Sequence, residues 1–157
     1  MKIYLAGGCF WGVQAYFDLV SGVESSLVGY ANSPIKNPSY EVVCSGCGAI
    51  EAVEIALDSN YLDSILSHFF NIIDPFSINK QGNDFGIQYK SGIYCISEQV
   101  LKKVKEFADN LNKNFSRPFA VEIKMLENFY KAEEYHQKYL EKNPNGYCHI
   151  DLSKARI

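Results

Sequence analysis

The sequence predicts an α+β fold, a two-layer sandwich in which helices cover one face of a mixed, ferredoxin-like sheet and a coil-rich C-terminal tail follows. Three observations carry that reading. In order, the segments alternate as strand, helix, strand, strand, helix, strand, with a further helix, strand and helix behind them. Residues 49–57 alternate with period two and are apolar on most of both sides, as a central strand is. The helical stripes starting at Leu62 and Val100 are apolar on one side only, so each helix has one face to bury.

Residues 2–6 read as a short buried strand that feeds the run Gly7-Gly8-Cys9-Phe10-Trp11-Gly12. Val13, Tyr16, Phe17 and Val20 then recur at helical spacing, which makes a helix that Gly22 ends. Residues 23–30 form a second strand, and the Asn- and Pro-containing stretch 32–38 a loop. Val42 and Val43 lead into Cys44-Ser45-Gly46-Cys47. After the central strand, Asp58-Ser59-Asn60 supplies capping residues for a helix with Leu62, Ile65, Leu66, Phe69, Phe70 and Ile73 as its stripe, closed by Asp74-Pro75. Residues 81–86 read as a loop, and residues 87–96 as a strand with Ile87, Tyr89, Ile93 and Cys95 on one face. Ser97 precedes the helix of Val100, Val104, Ala108 and Leu111, and residues 119–126 alternate as a last strand. Residues 129–141 are expected to be helical in their second half. Asn143-Pro144-Asn145-Gly146 breaks that helix and leaves a tail with Tyr147, Cys148 and His149.

A length of 157 residues fits one domain, 1–157, with enough chain to bury a core. Hydrophobic residues make up 47% and charged residues 21%, which is the composition of a folded chain and not of a disordered one. A net charge of -3 and the absence of any basic run give no electrostatic case for nucleic acid. Residues 1–6 are too short for an export signal and no apolar run approaches membrane-spanning length, so the expectation is a cytoplasmic protein with no membrane association. Five cysteines, an odd number, then point to catalytic, metal-binding or redox-active thiols before a disulfide framework.

Cys9 stands between flexible glycines and two large rings, at or just before a helix N-terminus. There the free N–H groups favour a thiolate, which suits a nucleophile; a buried, inert thiol at a tight turn is the alternative. Glu51 shares its strand face with Val53, Ile55 and Leu57, so its carboxyl is desolvated and favours the proton-carrying form, unless it pairs with a buried base. Cys44 and Cys47 form a CxxC that admits a redox pair, half of a zinc site or two ordinary loop thiols. Tyr40, Tyr89, Tyr135 and Tyr147 sit beside glycine, proline or charged residues, where a half-buried ring with a wet hydroxyl is the plain reading.

Gly8-Cys9-Phe10-Trp11-Gly12 resembles the signature of the A-type peptide-methionine sulfoxide reductases. Four further blocks are similar to that family in the same order: residues 38–46 with Glu51-Ala52-Val53, residues 81–84 with Gly86 and residues 88–91, residues 130–137 with Tyr139-Leu140, and Asn143-Pro144 with Gly146-Tyr147-Cys148. The resemblance implies that Cys9 attacks the sulfoxide sulfur of an oxidised methionine and that Glu51 protonates the oxygen. Tyr40 and Tyr89 would hydrogen-bond that oxygen, Phe10 and Trp11 would hold the methyl group, and Asp84 and Tyr147 would shape the site. It further implies the S epimer of methionine sulfoxide, free or in proteins, as substrate. A Cys9 sulfenic acid would be resolved as a disulfide with Cys148 and recycled by thioredoxin, in repair of oxidative damage. No metal or organic cofactor is implied, and a monomer is expected.

The sequence departs from the family between Cys44 and Glu51, where Ser45-Gly46-Cys47-Gly48-Ala49-Ile50 is one residue shorter and lacks the usual Thr and His. Phe85 and Ile87 stand where a His and a Thr are common. A non-catalytic thiol sensor built on the same fold is the rival these changes leave open, and Cys44, Cys47 or Cys95 is available as an additional resolving thiol.

Overall fold

The structure, a computed structural model, describes residues 1–156. Its centre is a six-stranded sheet. The strands are β1 (Lys2–Ala6), β2 (Val23–Ala31), β3 (Ile50–Leu57), β6 (Gly92–Cys95), β7 (Glu122–Met125) and β8 (Phe129–Lys131), in the spatial order β7-β6-β1-β3-β2-β8. Only the β6–β7 pair is parallel, so the sheet is mixed as expected, and the inner order β6-β1-β3-β2 is the ferredoxin-like arrangement. Two two-residue strands, β4 (Lys80–Gln81) and β5 (Asp84–Phe85), form a separate small hairpin.

Strand alternation divides the interior. Ile3 and Leu5 of β1, Val53, Ile55 and Leu57 of β3 and Ile93 and Cys95 of β6 face the main core. The helices α1 (Phe10–Phe17), α3 (Leu62–Ile72) and α4 (Glu98–Asn112) bury their stripes against that face, through Val13 and Phe17, Ile65 and Phe69, and Val104 and Ala108. Tyr4, Ala6, Ala52 and Tyr94 form a thinner cluster on the other face, where Leu126 and Phe129 pack. There the hydroxyls of Tyr4 and Tyr94 donate to Glu54 and Glu122 at 2.8 Å each, so the buried rings keep satisfied polar tips.

Three segments differ from the sequence reading. Residues 87–96 were expected as one strand, but Gly86 adopts φ 149° and Ile87–Tyr89 closes a 3-10 turn, so β6 begins only at Gly92. The turn leaves Ile87 exposed and removes it from the face it was expected to share with Ile93. The approach to Cys44 is a helix, α2 (Tyr40–Cys44), capped by Ser39 Oγ accepting from Val42 N–H at 3.2 Å. Five residues are too few for a helical period to show. Lastly, residues 129–131 are strand β8, held to β2 with Tyr130 opposite Tyr30, and the expected helix shrinks to a 3-10 turn at Glu134–His136 and α5 (Tyr139–Lys142). Lys138 at φ 55° separates the last two.

Candidate active site

Cys9 occupies the N-cap position of α1 and is 7% exposed. The turn before it needs glycine, because Gly8 has φ 93° and a Cβ there would meet Gln81 Cβ at 2.8 Å. Glu51, from the centre of the sheet, is 1% exposed, and its Oε1 accepts from Phe10 N–H at 3.2 Å. That bond ties the strand carboxyl to the first helical residue after the cysteine. Glu51 Oε2 is buried with no protein partner among the described residues.

Burial pushes the Glu51 carboxyl up from 4.5 to about 8; the Phe10 N–H opposes the shift and Asp84 adds to it. Glu51 therefore carries a proton at neutral pH. Burial, and then Glu51 once it ionises, also push the Cys9 thiol well above its ordinary value, although the N–H groups of Trp11 and Gly12 pull the other way. The helix terminus alone does not leave Cys9 as a thiolate, contrary to the sequence expectation. Desolvation outweighs the dipole because the sulfur sits inside the wall and not on the surface.

Tyr40, at the start of α2, and Tyr89, in the 3-10 turn, are held well above the usual phenol range by burial and, once Glu51 ionises, by its nearby charge. For Tyr89 the charge of Asp84 adds to that effect. Both hydroxyls keep their protons and serve as donors beside the carboxyl. Asp84, on β5, accepts from the Tyr147 hydroxyl at 3.2 Å. Cys148 reaches the first turn of α1: a Cβ on Gly12 would lie 3.2 Å from its Sγ.

The aromatic wall has more members than the sequence suggested. Phe10 is buried against Tyr30 and His136, with centroids at 5.8 and 5.1 Å. Trp11 stacks on Tyr139 at 3.7 Å, and its Nε1–H donates to His136 Nδ1 at 2.9 Å. An indole only donates, so Nδ1 is unprotonated, and burial lowers the pKa of this imidazole, only partly opposed by Glu133. Tyr40 packs on the same ring at 4.4 Å. A groove of about 370 Å³ along α1 and α5 is lined by Trp11, Ala15, Leu19 and Tyr139, but Cys9 and Glu51 do not line it.

The nine residues to which the resemblance gives roles, Cys9, Phe10, Trp11, Tyr40, Glu51, Asp84, Tyr89, Tyr147 and Cys148, lie near one another. Phe10 N–H is bonded to Glu51, Cys9, Tyr40 and Tyr89 are within reach of that carboxyl, Tyr147 is bonded to Asp84, and Cys148 faces Gly12 beside Trp11. Glu133 and Gln137 were missed. Glu133 accepts from the Tyr30 hydroxyl at 2.7 Å and from Tyr40 N–H at 2.9 Å; burial raises its carboxyl, but these donors lower it further. Gln137 bridges Val28 N–H and C=O, at 3.0 and 2.9 Å. Neither lies in a periodic segment, so only the strand pairing of β8 brings them inward. Cys44 stays near the cleft beside Tyr40, whereas Cys95 is fully buried in the core.

A family model described as peptide methionine sulfoxide reductase matches residues 1–157. The chain belongs to the peptide methionine sulfoxide reductases. As such it is an oxidoreductase that reduces methionine sulfoxide with thiols. This reductase is 51% identical over 154 residues to peptide methionine sulfoxide reductase MsrA of Malacoplasma penetrans, covering 96% of each chain. Against the MsrA of Mycoplasma genitalium the identity is 50% over 152 residues, covering 95% of this chain and 97% of the other. The reductase also superposes on reduced Mxr1 from Saccharomyces cerevisiae with a TM-score of 0.87 and 35% identity, over 95% of this chain and 88% of that one. Mxr1 has been solved in complex with Trx2 as well.

Proposed function

We propose that residues 1–157 are one catalytic domain reducing methionine-(S)-sulfoxide, free or in proteins, with Cys9 as nucleophile and Glu51 as proton donor. One observation carries this reading: a buried, protonated carboxyl hydrogen-bonded to the residue after the cysteine. Sulfoxide oxygen leaves sulfur only when protonated, and a carboxyl near pKa 8 is a donor at neutral pH. The Cys9 sulfur attacks the sulfoxide sulfur while Glu51 protonates the oxygen and Tyr40 and Tyr89 donate hydrogen bonds to it. The protonated oxygen then passes to the Cys9 sulfur; the transient bond between the two sulfurs and the S–O bond to methionine break, methionine departs with an electron pair, and Cys9 is left as a sulfenic acid. The former thiol proton of Cys9 restores Glu51. Phe10 and Trp11 hold the substrate methyl group, and Asp84 with Tyr147 closes the opposite rim.

Cys148 then condenses with the sulfenic acid, and a thioredoxin-type donor, the class of partner seen with Mxr1, reduces the disulfide. The protein acts as a monomer in the cytoplasm, where such donors keep thiols reduced, with no nucleic-acid partner. No helix of the described residues is long and apolar enough to cross a membrane. The test is turnover of the separated S and R epimers of a methionine sulfoxide peptide with a small thiol reductant. Activity on S alone, lost in Cys9→Ser, is expected. A native chain that turns over neither epimer would instead favour a thiol sensor.

A further inference from the structure

His149 lies in a tail with little regular structure, yet its side chain is only 3% exposed. Its Nε2 stands 2.8 Å from the carbonyl oxygen of Gly7. A carbonyl only accepts, so Nε2 bears the hydrogen and donates. Nδ1 is buried without a hydrogen-bond partner among the described residues, 3.9 Å from Asp84 Oδ2.

Three glycines from three segments make room for this ring. A Cβ on Gly8 would approach Nε2 to 2.9 Å, one on Gly12 would approach Nδ1 to 3.1 Å, and one on Gly82 would approach the His149 Cβ to 3.1 Å. The turn before Cys9, the first turn of α1 and the β4–β5 hairpin thus all recede around one imidazole. Its chain neighbour packs on the same spot, because a Cβ on Gly12 that would approach Nδ1 would also lie 3.2 Å from Cys148 Sγ. The Cys148 thiol donates to Ile150 C=O at 3.3 Å, and Ile150 is buried, so the tail is held on the far side as well.

We propose that His149 is the positioning residue of the resolving step, latching the tail to the catalytic turn through Gly7 so that Cys148 is presented to Cys9. This rests on the assignment of Cys9 and Cys148 made above. In that step the Cys148 sulfur attacks the Cys9 sulfenic sulfur. The S–S bond forms, the S–O bond breaks, and the hydroxyl leaves as water with the Cys148 thiol proton. The sulfoxide has already supplied the oxidising equivalent. A tail that is only tethered samples many positions, whereas a latched one holds the two sulfurs close to attack geometry.

The test is a single turnover of an S-sulfoxide peptide without reductant. It follows methionine release, the lifetime of the sulfenic acid by trapping with a 1,3-dione, and disulfide formation by mass spectrometry. In His149→Ala, methionine release is expected at the native rate while the sulfenic acid persists about tenfold longer. His149→Gln, which returns an N–H donor, should recover most of the loss. Native-rate disulfide formation in His149→Ala would overturn the latch, as would a parallel slowing of methionine release that Gln does not rescue. A native chain that behaves like Cys148→Ser, releasing methionine without forming the disulfide, would remove the Cys148 assignment itself.

Discussion

At the scale of a single residue, the proton donor of the mechanism proposed above is Glu51, whose proton is kept by burial and not by a partner. A free carboxyl titrates near 4.5, whereas this one holds its proton to about 8. Turnover that needs the protonated form is therefore expected to be flat below about pH 8 and to fall above it, as a pH–rate profile would show. Stability carries the same signature. Between those two values the folded chain binds more protons than the unfolded one, so unfolding free energy declines as pH rises through that window and levels off above it. Glu51→Gln should remove the slope, read by urea unfolding at about pH 5 and about pH 9. It should also lower turnover by about 100-fold or more, the usual worth of a positioned acid. If Glu51→Gln keeps native turnover, the proton comes from elsewhere.

At the scale of elements, β8 is the short strand that completes the site. It leads directly into the segment with Glu133, His136 and Gln137, which support Tyr40, Trp11 and Val28. Its seat on β2 depends on Gly29, where a Cβ would collide with the Phe129 ring and come within 2.5 Å of Tyr130 C=O. Gly29→Ala is expected to prise β8 from the sheet, losing stability and activity together. Hydrogen exchange should report faster exchange at Ala132 N–H, which donates to Val28 C=O in the native pairing. Native protection there would mean that the strand has another seat. The other connecting element, α2, holds Tyr40 through a single serine cap. Ser39→Ala should cost about 1 kcal/mol, read as a lowered unfolding midpoint.

The molecule is built on a six-stranded sheet whose central strand β3 carries both core packing and the buried Glu51 carboxyl. Ile55 and Glu51 stand on the same face of β3, so the core that buries the first also desolvates the second. Ile55→Ala should cost about 2–5 kcal/mol, most of a small domain's margin. Trp11, the one tryptophan, stands in the site, so its fluorescence reports the cleft while far-UV circular dichroism reports the sheet and helices. The two transitions are expected to coincide in native chain and variant alike. Separate midpoints would show that the cleft and the sheet unfold independently, against a single domain.

The sequence by itself determined the long periodic elements and the family resemblance. The alternation of β3 placed Glu51 on the core face, and the glycine-flanked Cys9 marked the start of α1, because periodicity and turn chemistry act over a few neighbouring residues. Tertiary structure alone decided what depends on distant partners. It assigned residues 129–131 to a strand through pairing with β2, turned Ile87–Tyr89 out of the expected strand, brought Glu133 to Tyr40 and packed His149 on the Gly7 carbonyl. It also reversed the expected state of Cys9. A helix terminus can be read from local sequence, but the depth of burial that outweighs it is a property of the whole assembled wall.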